Sequence, residues 1–241
     1  MRKHARQATV ADDRASSISA LRCSIDGALE QFCDRFLAEA PGAVGDAIRY
    51  SLLGEGKRLR PILVLASYES AGGKGDASAL AAAVEVVHAY SLVHDDLPCM
   101  DDDDVRRGRP TVHKVYGVSA AMAAGLAMVP LAVRCALYGS AVLGLTEDVA
   151  ARIVGELMRA SGAGGMIGGQ LLDLEGEGRA LTLEELERVH RSKTGALITA
   201  AVRIGALAAG ANGTRIAALE RYGEAVGLAF QIADDVLDVT A

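Results

Sequence analysis

Residues Ser78–Asp96 read SALAAAVEVVHAYSLVHDD, and before the final aspartates this stretch is polar only at its serines and at Glu85, His88 and His94. Its length and its richness in Ala, Val and Leu predict a helix that is buried on most of its surface. Pro98 follows and interrupts the helix, so the charged run after it is predicted to lie in a loop. A long buried helix of this kind indicates a helical fold.

The composition of the whole chain favours the same class of structure. Of the 241 residues 51% are hydrophobic, with many Ala and Leu, and only 4% are aromatic. This composition suits closely packed helices better than strands, so we expect an all-α protein with few or no strands. Residues 18–241 are predicted to form one domain, because no Pro/Gly/Ser-rich linker divides them. Residues 1–17 lack apolar periodicity, which predicts a disordered or frayed N-terminus.

Several classes of protein are disfavoured. The net charge of −6 and the lack of a basic stripe predict that the chain does not bind nucleic acid. The four cysteines lack metal-binding spacing and nothing upstream resembles a secretory leader, so we expect reduced thiols in a cytoplasmic protein.

The uncharged stretch Val115–Val133 approaches the length of a membrane span. Its Ala, Gly and Pro130 favour a helix buried within the protein, and no membrane span is predicted.

A group of acidic residues near the C-terminus lies in the segment FQIADDVLDV, Phe230–Val239. On a helix, its polar residues fall on one side among apolar neighbours. Carboxylates about 4 Å apart repel by roughly 4 kcal/mol at an effective dielectric near 20. Such crowding requires a cation or a protonated acid. We therefore predict a metal site at Asp234, Asp235 and Asp238, with Gln231 beside it.

A first acidic cluster follows the Ser78–Asp96 stretch. Asp95 and Asp96 end the apolar helix and are expected to face inward. Together with Asp101 they are the predicted ligands, whereas residues 102–104 are consistent with a solvated charge run. Carboxylate ligands without cysteine favour a hard cation, and Mg²⁺ fits a site that also holds substrate phosphates. The Asp–Gly–Glu spacing of an EF-hand is absent. We predict Mg²⁺ as the cofactor.

Basic residues lie near both acidic clusters. An anionic ligand held by metal on one side and by Arg and Lys on the other would account for them, although scattered surface ion pairs are an equal alternative for any single residue. Thr182 and Glu185 form a capping box that starts the helix carrying one of these residues. The basic residues are Lys57, Arg60, Arg106, Arg107 and Lys193.

From about Ala47 to Asp238 the chain resembles the trans-isoprenyl diphosphate synthases, the group that includes farnesyl and geranylgeranyl diphosphate synthases. Each matching segment alone is moderately specific, and together, in this order, they are highly specific. The segments are GKRLRP (Gly56–Pro61), LVHDDLPCMDDDDVRRGRPTVHK (Leu92–Lys114), GGQLLDL (Gly168–Leu174), KTGAL (Lys193–Leu197) and FQIADDVLD (Phe230–Asp238).

The resemblance implies a single large helical bundle around a central cavity, the isoprenoid synthase type. It implies a magnesium-dependent condensation of isopentenyl diphosphate with an allylic diphosphate, and a homodimer. Asp95, Asp96, Asp101, Asp234, Asp235 and Asp238 would bind metal. Further contacts to the allylic substrate would come from Arg106, Lys193, Thr194 and Gln231. Isopentenyl diphosphate would contact Lys57, Arg60, His88 and Arg107, while Gln170 and Asp173 would be inward-facing polar residues near the metal.

The resemblance also bears on product length. Tyr90 precedes Asp95 by five residues, and an aromatic residue there blocks elongation in similar short-chain enzymes, which favours a farnesyl product. A geranylgeranyl product, a non-catalytic subunit and a terpene cyclase are alternatives. Two features depart from the family: Ala124–Met128 reads AGLAM where many members read AGDAL, and the family's C-terminal helices are expected to be missing after Ala241.

Overall fold

The computed structural model describes the backbone of residues 2–40 and 42–240, and the side chains of residues 17–40, 42–234 and 236–237. Helices dominate this part of the chain, with one two-stranded ladder, so the all-α prediction is confirmed. The elements are α1 (Arg2–Phe36), α2 (Gly42–Leu52), α3 (Leu59–Ser70), α4 (Ser78–Asp95), β1 (Val105–Arg106), β2 (Arg109–Pro110), α5 (Val112–Tyr116), α6 (Val118–Val142), α7 (Glu147–Ser161), α8 (Met166–Gly176), α9 (Leu183–His190), a π-helical turn (Arg191–Gly195), α10 (Ala196–Ala208) and α11 (Gly213–Thr240).

Helices α4 and α10 lie at the centre of the bundle. Nearly every residue of α10 is buried, the exceptions being Ala196 and Arg203. On α4 the Ala and Val side chains are buried in all directions around the helix, together with Glu85 and Tyr90. A helix that is apolar on every side needs neighbours on every side. Accordingly α1, α3 and α6 pack around α4, while α3, α7 and α11 pack around α10.

Helix α1 extends into the N-terminal segment. It begins at Arg2, so the backbone is helical through most of residues 1–17, for which the sequence predicted disorder or fraying. Ala and Arg are frequent in this segment and have high helix propensity. The helix is anchored further along by Ile25, Leu29 and Phe32, which are buried. A packed helix can thus extend into a polar segment that has no apolar face of its own.

Helix α6 contains most of the uncharged stretch noted in the sequence. By length and composition it could cross a membrane, and 39% of its most apolar window is buried in the protein. One face packs against α4 and α2 through the buried residues Ala121, Ala124, Met128 and Ala132. The other face is exposed at Val118, Met122 and Leu126. The buried-helix prediction therefore holds for one face, and the absence of a membrane span stays a prediction.

The contact between α10 and α3 depends on Gly205. A Cβ atom at this position would lie 2.0 Å from Ser67 Oγ and 2.3 Å from the carbonyl oxygen of Val64. Both are closer than any real Cβ contact, and one of the two atoms belongs to the backbone. Only glycine therefore permits the two helices to approach this closely.

Replacing Gly205 by alanine should push α10 away from α3. We expect Gly205→Ala to lower the free energy of unfolding by about 2 kcal/mol, the range of overpacked cores. Gly155→Ala is the matched control, because Gly155 lies in the exposed interior of α7 with no atom within 4 Å of its added Cβ. It should raise stability by roughly 0.5–1 kcal/mol. Urea unfolding followed by circular dichroism measures both, and equal stability of the two variants would contradict this packing.

Candidate active site

Helix α4 directs Glu85, His88 and Leu92 towards a cavity of about 1050 Å³. Their spacing of three and four residues places them on one face of the helix. Side chains from α1, α3, the β1–β2 hairpin, the π-helical turn and α11 complete the wall. The residues predicted for substrate or metal that line this cavity are Lys57, Arg60, His88, Arg106, Arg107, Thr194, Gln231 and Asp234.

One wall of the cavity is cationic. Arg60 Nη1 lies 3.2 Å and Arg107 Nη2 lies 3.4 Å from His88 Nε2. A guanidinium only donates hydrogen bonds, so this imidazole nitrogen accepts and His88 is neutral. Burial, followed by the charges of Arg60 and Arg107, lowers the pKa of His88 well below its usual value. Burial also lowers the pKa of Arg60 to about 10. Burial therefore makes these positive charges costly without an anion, and the wall suits an anionic ligand.

The β1–β2 hairpin carries two of these arginines. Val105 pairs with Pro110 and Arg106 pairs with Arg109, which leaves Arg107 and Gly108 as a two-residue turn. Both turn residues have positive φ, 53° and 74°. Positive φ at both positions is typical of the type I′ turn that joins twisted strands. This short turn brings Arg106 and Arg107 to the cavity.

The first acidic cluster forms where α4 ends. The backbone N–H of Asp101 donates to the carbonyl oxygen of Asp95 at 2.9 Å, which folds the loop back onto the helix. Gln170 Nε2 on α8 donates to Asp101 Oδ1 at 3.2 Å. Burial raises the pKa of Asp95 to about 6; Lys193 opposes this effect and Asp101 adds to it. Asp95, Asp101, Gln170 and Lys193 are thus near neighbours, although none is among the residues lining the cavity.

Asp96 has different surroundings. It is almost fully buried, and its Oδ1 accepts from Arg106 Nε at 2.7 Å and lies 2.6 Å from Arg106 Nη2. Arg106 Nη2 also contacts Asp103 Oδ2 at 2.7 Å. Burial raises the pKa of Asp96, and the bond with Arg106 counters this effect. In this structure Asp96 therefore holds an arginine of the cavity wall.

Lys193 and Thr194 lie on the π-helical turn between α9 and α10. Lys193 Nζ donates to Asp173 Oδ2 at 2.5 Å, and Thr194 Oγ1 donates to Gln231 Oε1 of α11 at 2.7 Å. π-Helical turns inside helices are rare, and those that occur often lie at functional sites. The capping box predicted at Thr182 and Glu185 is present and starts α9. The predicted residues of the KTG segment thus contact the GGQLLDL and FQIADD segments.

The second acidic cluster is described in part. Asp234 lines the cavity, and its charge acts on Arg60 across it. The side chains of Asp235 and Asp238 lie outside the described residues. Among the side chains that are described, no three carboxylate, histidine or cysteine groups are close enough to hold a metal ion by themselves.

Some residues of the wall were not predicted from the sequence. Arg58 and Glu85 line the cavity and pair with each other, and Asp26 of α1 joins them. Glu85 lies three residues before His88, so helical spacing alone would have placed it on the same face. Phe230 also lines the cavity, with its ring centre 5.9 Å from Lys57 Nζ. Asp26 carries no sequence signal, because an acidic residue on an amphipathic helix is ordinary.

Tyr90, the predicted chain-length residue, is buried on α4. Its ring packs edge-on against His94, with centroids 5.2 Å apart. Burial and the nearby Asp95 raise its pKa. Tyr90 is not among the residues that line the 1050 Å³ cavity. Its role in product length remains a prediction.

Comparison with known proteins agrees with the fold. The family model described as polyprenyl synthetase matches residues 42–241. Farnesyl diphosphate synthase of Escherichia coli is 49% identical over 87% of this chain and 71% of its own length. The chloroplastic geranylgeranyl pyrophosphate synthase of Catharanthus roseus is 44% identical over 90% of this chain, which spans 60% of that relative.

The solved structures give the same result. A geranyltransferase from Legionella pneumophila superposes with a TM-score of 0.89 at 37% identity, covering 95% of this chain and 81% of its own. The family model covers well over half of the chain, and the sequence identities are high. The chain therefore belongs to the polyprenyl synthetase family.

Proposed function

We propose that this protein condenses isopentenyl diphosphate with an allylic diphosphate, dimethylallyl or geranyl, to give farnesyl diphosphate and release diphosphate. The reaction class, prenyl transfer by a polyprenyl diphosphate synthase, follows from membership of the family. One observation carries the proposal: a single cavity has a cationic wall at Lys57, Arg60 and Arg107 and also receives Asp234 from another helix. Such a cavity suits two diphosphates bound in different ways.

The two diphosphates are assigned by charge. Isopentenyl diphosphate binds to Lys57, Arg60 and Arg107, where guanidinium groups match phosphate oxygens geometrically. His88 accepts from two of these arginines and holds them in place. The allylic diphosphate binds on the acidic side, towards Asp234 and the end of α4. There Lys193, Thr194 and Gln231 supply its polar contacts.

The acidic side fits a hard divalent cation, and we propose Mg²⁺. Its donor set consists of oxygen atoms only, and burial makes the ionised form of Asp95 costly without a cation. Mg²⁺ is commonly held by one or two carboxylates together with substrate phosphates, so two neighbouring aspartates are sufficient. Asp95 and Asp101 would hold it on one side and Asp234, Asp235 and Asp238 on the other. When bound, the metal stabilises negative charge on the leaving diphosphate.

The residues of the chain then have defined tasks. The allylic C–O bond breaks, and Lys193 and Arg106 stabilise the charge that develops on the departing diphosphate. Asp96 keeps Arg106 oriented. The apolar surface around Leu92 and Phe230 excludes water from the allylic cation. The double bond of isopentenyl diphosphate forms the new C–C bond, and a proton leaves to the released diphosphate. No protein nucleophile is required.

Other activities fit this site less well. A terpene cyclase needs no second diphosphate site, whereas Lys57, Arg60 and Arg107 supply one. A non-catalytic subunit has no need to keep the charged residues of both sides. A geranylgeranyl product is the closest alternative, since one of the similar relatives is a geranylgeranyl pyrophosphate synthase.

We also propose a cytoplasmic homodimer. The described cysteines Cys23, Cys33, Cys99 and Cys135 are free thiols, which suits a reducing compartment. The exposed apolar row Val118, Met122 and Leu126 on α6 repeats every four residues and forms one stripe. A second copy of the chain would cover it.

The function is tested by incubating the purified protein with Mg²⁺, isopentenyl diphosphate and either dimethylallyl or geranyl diphosphate. We expect farnesyl diphosphate as the product, identified by chromatography. Geranylgeranyl diphosphate would support the alternative product. A cyclised hydrocarbon would contradict the proposal. So would the absence of any product, if the protein changes the product of an active synthase that is added to the mixture.

Asp101→Asn should weaken metal binding because it removes one carboxylate beside Asp95. We expect the dissociation constant of Mn²⁺, measured by electron paramagnetic resonance with inorganic diphosphate present, to rise at least tenfold. Asp102→Asn is the control, because Asp102 is the next residue of the same exposed loop and carries the same charge. For this control the dissociation constant of Mn²⁺ should stay within about twofold of the wild-type value. Equal effects of the two variants would contradict the ligand assignment.

Tyr90→Ala should lengthen the product beyond that of the parent enzyme, because it shortens a buried side chain one to two turns below Asp95. Product chromatography measures the chain length. Tyr222→Ala removes an exposed tyrosine of α11 and should leave the product unchanged. An unchanged product from Tyr90→Ala would refute the role of this residue.

Met122→Arg should dissociate the dimer because it places a charge in the apolar stripe of α6. Sedimentation equilibrium of the wild type should give twice the mass of one chain, and the variant should give the mass of one chain at the same concentration. Leu183→Arg alters an exposed leucine on α9 and should leave the dimer intact. A dimeric Met122→Arg protein would mean that the chains associate elsewhere.

A further inference from the structure

Arg58 is the centre of a buried hydrogen-bond network beside the cationic wall. Its Nε donates to Asp26 Oδ1 of α1 and its Nη1 donates to Glu85 Oε1 of α4, both at 2.9 Å. Its Nη2 donates to the carbonyl oxygens of Leu52 and Gly54 at 3.1 and 2.8 Å. One guanidinium therefore connects α1, the end of α2 and α4. The four hydrogen bonds that it donates all go to groups of the protein itself.

The backbone of Arg58 is in the left-handed region, with φ 52° and ψ 31°. This conformation is strained for a non-glycine residue and persists where the surroundings enforce it. Here it reverses the chain just before α3. As a result Lys57 and Arg60 line the cavity with Arg58, and the guanidinium of Arg58 bonds to groups within the protein. The network compensates the strain and thereby fixes the two neighbouring cations.

Glu85 is the buried anion of this region. Three cations of the wall, Lys57, Arg60 and Arg107, would otherwise repel one another. Burial lowers the pKa of both Arg60 and Arg107, and the charge of Glu85 is the largest effect that opposes it. Gly56 lies between the guanidinium groups of Arg107 and Arg58. A Cβ atom at this position would be 2.8 Å from Arg107 Nη1 and 3.1 Å from Arg58 Nη1. Glu85, which itself lines the cavity, thus offsets part of the wall's positive charge.

We propose that Arg58 and Glu85 are positioning residues for the isopentenyl diphosphate site: their buried pair, extended to Asp26, fixes the left-handed turn that aims Lys57 and Arg60 into the cavity and offsets the repulsion among the wall's cations. Neither residue contacts the diphosphate itself. The inference rests on the proposed function, because it names what arranges one of the two substrate sites.

A second ion-pair network in the chain supplies a matched control. Arg203 of α10 contacts Glu156 of α7 at 2.7 Å and Glu220 of α11 at 2.6 Å. It also joins three helices, but its residues do not line the cavity. A network that only braces the fold should behave like this one. A network that positions the wall should also change the binding of one substrate.

The test compares Glu85→Gln with Glu156→Gln, since both substitutions preserve shape and remove one charge. For Glu85→Gln we expect KM for isopentenyl diphosphate to rise about tenfold, with KM for the allylic substrate and kcat changing less than about twofold. Glu156→Gln should leave both KM values unchanged and lower only the melting temperature. Should Glu85→Gln fail to fold, Asp26→Asn removes the more exposed arm of the network, and a threefold rise in the same KM is expected.

Calorimetric titration of isopentenyl diphosphate without the allylic substrate separates this inference from the proposed function. If the wild type binds but does not condense, the proposed function fails, and the ratio of dissociation constants between Glu85→Gln and the wild type still decides the inference. A tenfold ratio supports it. A fall in melting temperature with an unchanged dissociation constant, or an equal rise in both KM values, would overturn it.

Discussion

Like charges that lie close together in a buried region repel each other. The arrangement of the molecule follows from how this repulsion is offset. The cavity has cations on one wall and carboxylates at and beside its other side, carried by separate helices. Two apolar helices, α4 and α10, provide the rigid centre to which these groups are attached. Without that buried centre the charged groups would be solvated and their repulsion would be small.

Helix α4 contributes to every part of the site. Along one helix, Glu85 offsets the cationic wall, His88 accepts from two of its arginines and Asp95 ends the helix in the acidic cluster. Successive residues on this face therefore run from the proposed isopentenyl diphosphate site to the proposed metal site. The distance between the two substrates is fixed by helical rise, since 1.5 Å per residue applies to a helix that is packed on all sides.

Much of this could be predicted from the sequence. The apolar stretch of α4 predicted a buried helix, and aspartates at the end of such a helix predicted an acidic site. Pairing between distant side chains could not be predicted in this way: Asp96 pairs with Arg106, and Arg58 pairs with Glu85, through contacts that exist only after folding. The helical backbone of residues 2–17 gives no such signal, because a polar helix has no apolar periodicity. The left-handed Arg58 also gives no signal, as arginine is not a residue that marks positive φ.

We propose that aspartates from both clusters hold one diphosphate through a metal ion, opposite the cationic wall. A crystal structure with Mg²⁺ and a non-cleavable allylic thiodiphosphate would test this arrangement. We expect Mg²⁺ at about 2.0–2.1 Å from an oxygen of Asp95 or Asp101, with a second site at Asp234 or its neighbours on the same diphosphate. A thiodiphosphate bound to Lys57 and Arg60 alone, with no metal at either cluster, would contradict it.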